Sequence, residues 1–152
     1  DNEHCELIKM NLQLNGLQAN VINKAVVHDD AKEIYLNIQK NGNTWRNSIV
    51  KNWNGGKKKV DCVNIESILN KNVCCKMDIE GAEMLILENL KSMPNKMVYE
   101  WSFDIDDNID RYRNVLKKMI SNYVNVKHNS IKDEHKIWKK GWFPPCRNVY
   151  CF

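Results

Sequence analysis

VCCKMDIEGAEMLILENL, residues 73–90, is the stretch whose reading decides the fold. It opens on apolar residues, sets carboxylates at Asp78 and Glu80, turns on Gly81 and continues with apolar residues at helical spacing. That pattern predicts a buried strand delivering acidic groups to a strand-to-helix turn. Open α/β sheets bind ligands beyond the carboxyl ends of their strands, which makes both acids candidates for chemistry. If the strand ran through both, residues two apart would share a face, and adjacent carboxylates repel unless a cation lies between them. Lys76 has the same parity and can be that cation; a metal ion is the alternative. The competing reading is structural, with Asp78 capping the helix while Glu80 and Glu83 favour its N-terminal dipole. Three acids within six residues beside a glycine exceed what capping needs, and this favours a functional role.

Outward from this segment, strands and helices alternate. Asp1 or Asn2 can cap a helix carrying Cys5, Leu7, Ile8, Leu12 and Leu14, with Asn15-Gly16 as its stop. Residues 21–27 read as a strand, the polar segment His28-Asp29-Asp30 as a turn, and residues 34–38 as a hairpin return. Residues 39–57, rich in Asn and Gly, read as loop. Residues 60–65 form a short strand and residues 66–69 one helical turn. Residues 97–103 are strand-like, and residues 109–120 form an amphipathic helix with Arg111, Lys117 and Lys118 outward. Residues 123–126 give a further strand, 129–147 a polar connection, and 148–152 a last strand. The alternation predicts an α/β fold, one domain over residues 1–152, with a mainly parallel sheet, helices on both faces and an antiparallel last strand.

Length and composition set outer bounds. A chain of 152 residues, 43% hydrophobic and 28% charged, can bury one core. No apolar run is long enough to span a bilayer. The net charge of +4 is mild and Lys57-Lys58-Lys59 is a short cluster, so a solvated surface is favoured over a nucleic-acid interface. The six cysteines lack metal-ligand spacing and include the adjacent pair Cys74-Cys75 in the apolar strand. They read as small buried hydrophobes in a reducing compartment, hence a cytoplasmic location, with no metal site assigned.

Lys76-Met77-Asp78-Ile79-Glu80-Gly81-Ala82-Glu83 resembles the K-[IV]-D-[IV]-E-G-A-E motif of the FkbM-type S-adenosylmethionine-dependent methyltransferases. The helix ending in N-x-x-x-N-G is similar to CELIKMNLQLNG at residues 5–16, and Asn23-Lys24-Ala25-Val26 resembles the strand that follows it. Residues 63–69 resemble the family's T-L-D-x-L-L step, with Asn64 and Glu66 in place of its Thr and Asp. Glu100 falls where the family ends its next strand with Glu, and Asn148-Val149-Tyr150 resembles the closing strand. The resemblance implies a Rossmann-like class I sheet of which this chain is the C-terminal part. The first two strands and the glycine-rich cofactor loop have no counterpart, since Asn54-Gly55-Gly56-Lys57 is flanked by loop.

By that resemblance the reaction moves a sulfonium methyl of S-adenosylmethionine onto a hydroxyl of a sugar, glycan or similar polyol. Most of the acceleration comes from alignment and water exclusion, while the alcohol needs a carboxylate, a His or a divalent cation to release its proton. Asp78 is the first candidate for base or ligand, with Glu80 and Glu100 as partners; His28 reads as solvent-exposed. Ala25, Val26 and Asp78 are candidates for cofactor contact. Trp45, Arg46, Ser48, Trp101 and Trp142 are candidates for acceptor contact, because aromatic faces and fork-like donors suit sugar rings. A nucleotide-sugar oxidoreductase would want a Tyr-x-x-x-Lys pair on a helix, and none is present. The remaining alternative is a degenerate, non-enzymatic domain binding nucleic acid or a protein.

Overall fold

A computed structural model describes residues 2–40, 46–102, 108–128 and 146–152. In chain order the elements are α1 (Asn2–Leu14), β1 (Ala25–Val27), β2 (Glu33–Gln39), β3 (Asn54–Asn64), a 3-10 turn (Ile65–Ser67), β4 (Cys74–Met77), α2 (Glu83–Asn89), β5 (Lys96–Ser102), α3 (Ile109–Asn122), β6 (Val126–His128) and β7 (Cys146–Cys151). They form one sheet of order β1-β3-β2 and another of order β4-β5-β7-β6.

The strand-turn-helix reading of residues 73–90 holds as β4 and α2, and so does the antiparallel last strand. The mainly parallel sheet does not. Only β1 with β3 and β4 with β5 run parallel, whereas β2 with β3, β5 with β7 and β6 with β7 are antiparallel, so both sheets are mixed. The expected hairpin of residues 21–38 is also replaced. β3 inserts between β1 and β2, pairing Ala25 with Cys62 on one side and Glu33 with Asp61 on the other. The reason lies in the supposed loop. Strand β3 begins at Asn54, and its lysine-rich first half lies exposed against β2. Gly55 packs so close to the Ile38 carbonyl that a Cβ there would collide with backbone.

Alternation within β5 sets the core. Met97, Tyr99 and Trp101 point to one face with Met77, Val149 and Cys151, and α2 and α3 cover that face with Met84, Ile86, Leu87, Tyr112, Val115 and Met119. Trp101 stacks on Tyr112 with centroids 3.8 Å apart, which fixes α3 over β5. Among the described residues both helices therefore lie on the same face of this sheet, not one on each. Lys76, Val98 and Glu100 occupy the opposite face.

Lys118 departs from the expected outward position. Its ammonium is half-buried and donates to the carbonyls of Leu87, Glu88 and Leu90, satisfying the end of α2 where no helical partner exists. Burial lowers its pKa, against the pull of Glu66 and Glu88. Helix α1 ends as its sequence predicts. Gly16 takes φ of +63° and the Leu17 N–H returns to the Leu12 carbonyl at 2.9 Å. No residue of α1 is buried. Cys62 and Cys151 are buried, Cys5 and Cys75 half-buried, but Cys74 is exposed because it faces away from the covered side of β4.

Candidate functional site

Strand β4 stops at Met77, so Asp78 and Glu80 do not share a strand face. The chain instead enters a tight turn in which Glu80 takes φ of +55° and Gly81 φ of +93°. A left-handed conformation costs a residue with a Cβ about 1 kcal/mol, whereas Gly81 adopts it without that cost. The two acids consequently diverge. Asp78 turns to Lys76, with Oδ2 and Nζ 2.7 Å apart, and Glu80 lines a cavity on the side of β1. The hydrogen bond to Asp78 and its charge hold the Lys76 ammonium above its ordinary pKa, with Glu100 adding to the effect. Lys76, Asp78 and Glu100 thus form one charged group at the carboxyl ends of β4 and β5.

The cavity measures about 210 Å³ and is bounded by Lys24, Ala25, Val26, Leu36, Asn47, Ile49, Ile79, Glu80 and Ala82. Ala25, Val26 and Glu80, picked out from sequence, meet there. Its lining is mainly aliphatic, with polar groups from Lys24, Asn47 and Glu80.

Glu83 is the residue that sequence reasoning undervalued. It does not face solvent at a helix start but is 1% exposed. Its carboxylate reaches back to accept the Ile79 N–H at 2.6 Å and the Gly81 N–H at 2.8 Å. Burial pushes its carboxyl up to about 7, against the lowering pull of those N–H groups. The only sequence trace of this is a Glu two residues after the glycine; its direction follows from the turn.

Two acceptor candidates are corrected. Trp101 is 2% exposed inside the core, where stacking on Tyr112 leaves no ring face for a ligand. Ser48 is 1% exposed, and its hydroxyl donates to the Glu80 carbonyl at 2.6 Å while accepting the Val50 N–H at 3.1 Å. Its backbone pairs with Asn37 in both directions. Arg46 is half-buried with its guanidinium 4.9 Å from the centre of the Trp53 ring. His28 is half-buried at the end of β1 rather than exposed. Trp45 and Trp142 lie outside the described residues.

The chain matches the Methyltransferase FkbM domain over residues 2–129. The chain belongs to the FkbM methyltransferase family. The match spans α1 to β6 and includes the turn, the cavity and Glu100. No curated protein and no solved structure matches the chain. Among the described residues of this FkbM domain, no group of three or more His, Cys, Asp or Glu side chains could hold a metal ion, and no helix is long and apolar enough to cross a membrane.

Proposed function

We propose that this FkbM methyltransferase uses S-adenosylmethionine and methylates a hydroxyl oxygen of a sugar, glycan or similar polyol. The observation that carries the reading is the cavity joining Ala25 and Val26 of β1 to Ile79, Glu80 and Ala82 after β4. At about 210 Å³ it is smaller than the roughly 300 to 1,000 Å³ of whole small-molecule sites, so it suits one end of a ligand. Aliphatic walls with a few polar groups fit a flat heterocycle such as adenine.

The bound donor supplies an activated methyl on a sulfonium. The protein's own contribution is to hold, to exclude water and to take a proton. Ala25, Val26, Ile79 and Ala82 provide the apolar walls, and Glu80 and Asn47 the hydrogen-bonding groups beside them. In this reading Asp78, at the carboxyl end of β4 and in reach of solvent, receives the acceptor's proton on a carboxylate oxygen. Lys76 keeps a positive charge against that oxygen, and Glu100 on the neighbouring strand adds a second acceptor for sugar hydroxyls. Arg46, stacked on Trp53, is assigned in this reading to acceptor contact; a divalent cation has no assigned ligands among the described residues.

The test is transfer of labelled methyl from S-adenosylmethionine to a panel of sugars and polyols by the complete protein. Asp78→Asn should cut transfer by about a hundredfold, the scale for losing a proton acceptor, with little change in donor affinity. Near-normal turnover would remove Asp78 from the mechanism, and transfer to none of the panel would remove the acceptor class.

A further inference from the structure

Glu80 occupies an unfavourable backbone conformation beside the cavity, and three backbone groups of its turn are held by buried side chains. Glu83 accepts the Ile79 and Gly81 N–H groups, and the Ser48 hydroxyl donates to the Glu80 carbonyl. Ser48 is itself fixed by five further hydrogen bonds. Its backbone pairs doubly with Asn37, the Asn37 side-chain amide donates to the Ser48 carbonyl at 3.1 Å, and its Oγ accepts the Val50 and Lys51 N–H groups.

We propose that Glu83 and Ser48 are positioning residues that hold Glu80 in its left-handed conformation beside the cavity, and that this hold sets the cavity's affinity for its ligand. The proposal rests on the reading of the cavity as part of the methyl-donor site. Three features carry it beyond a general role in stability. The residue in the strained position is a glutamate, where glycine would serve the turn at no cost, so the strain keeps a functional side chain and its peptide in place. Glu83 is the first residue of α2, yet its carboxylate engages the turn before the helix and not solvent; Ala82 at the helix cap makes no side-chain hydrogen bond. Ser48 comes from the connection between β2 and β3, so the clamp ties the turn after β4 to the other sheet. Asn47 and Ile49, its neighbours in sequence, both line the cavity. Loosening Ser48 therefore moves two walls and the rim together.

The experiment is calorimetric titration of S-adenosylhomocysteine into the complete protein and its Ser48→Ala, Ser48→Thr, Glu83→Gln and Glu83→Ala variants. Amide exchange at Ile79 and Gly81 and thermal melting are read on the same samples. Ser48→Ala and Glu83→Gln should fold and bind roughly tenfold more weakly, the effect of losing about one well-placed hydrogen bond, while Ser48→Thr keeps the hydroxyl and binds near the wild-type level. Glu83→Ala should bind more weakly still and lose protection at Ile79 and Gly81. Wild-type affinity in folded Ser48→Ala and Glu83→Gln would overturn the proposal and leave the donor-site reading standing. Absence of binding by the wild-type protein would overturn both.

Discussion

Glu66 and Glu83 each bridge two backbone N–H groups with a single carboxylate, one at the protein surface and one inside it. Glu66, in the 3-10 turn after β3, is half-exposed and accepts the Lys91 and Ser92 N–H groups beyond the end of α2. Glu83 accepts those of Ile79 and Gly81 with 1% of its surface exposed. Both accept two backbone N–H groups, but the charge states are driven in opposite directions. At Glu66 burial opposes ionisation, but the two N–H groups, the Ser92 hydroxyl and the Lys91 charge together prevail, so its pKa falls. At Glu83 burial prevails and the carboxyl rises to about 7. Burial thus dominates at Glu83, while donors and a neighbouring cation dominate at the more exposed Glu66. The buried clamp sits at the candidate site, and the exposed one ties together the far end of the same helix.

Removing both acceptors at the buried clamp should have the largest effect on stability. Glu83→Ala leaves two N–H groups in a dry turn and should cost about 4 kcal/mol at pH 6 by denaturant unfolding, whereas Glu66→Ala exposes its donors to water and should cost no more than about 1 kcal/mol. Equal losses would dissolve the distinction between the two sites.

The next effect is on pH dependence. The folded Glu83 carboxyl titrates near 7 and the unfolded one near 4.5. Its contribution is therefore fully present below pH 4.5 and lost as pH rises to 7, by on the order of 3 kcal/mol. Glu66 has the opposite sign, since its lowered pKa gives stability that is present above pH 4.5 and lost as pH falls. Unfolding curves at pH 4.5 to 8 should therefore flatten in Glu83→Gln and keep their slope in Glu66→Gln. A slope unchanged by Glu83→Gln would show that its carboxyl ionises normally.

The smallest effect concerns a buried polar group with no clamp. The Tyr99 hydroxyl is fully buried without a hydrogen-bond partner among the described residues, and burial raises its pKa. Tyr99→Phe should be neutral or stabilising by up to about 1 kcal/mol. A clear loss of stability would mean that the hydroxyl is satisfied after all. Tyr123, whose hydroxyl donates to the Pro94 carbonyl at 2.8 Å, should lose stability on the same change.

How much of this the sequence disclosed depended on whether the deciding interactions were local. The helices α1 and α3, the 3-10 turn and the segment of residues 73–90 follow from caps and spacing within a dozen residues, and they were legible. The motif at residues 76–83 likewise led directly to the family. The insertion of β3 between β1 and β2 was not legible, because its first half is polar and glycine-containing and is held by pairing with a strand about twenty residues earlier. Ala25, Val26 and Glu80, picked out from sequence for separate roles, line one cavity, whereas Trp101 and Ser48 were assigned to the acceptor by residue type alone, and both are buried. For Glu83 the sequence offered a dipole role only as the competing reading and no partner, because its backward reach exists only once Glu80 and Gly81 have turned.

The account's central claim is that the cavity between β1 and the Glu80 turn receives one end of the methyl donor. Ala25 is one of the aliphatic residues lining that cavity, and Ala25→Phe would fill much of the space. Titration of S-adenosylhomocysteine into the complete protein should show binding that Ala25→Phe weakens by roughly tenfold or more, with the protein still folded. Equal affinity in the two proteins, or no binding by the wild type, would contradict the claim.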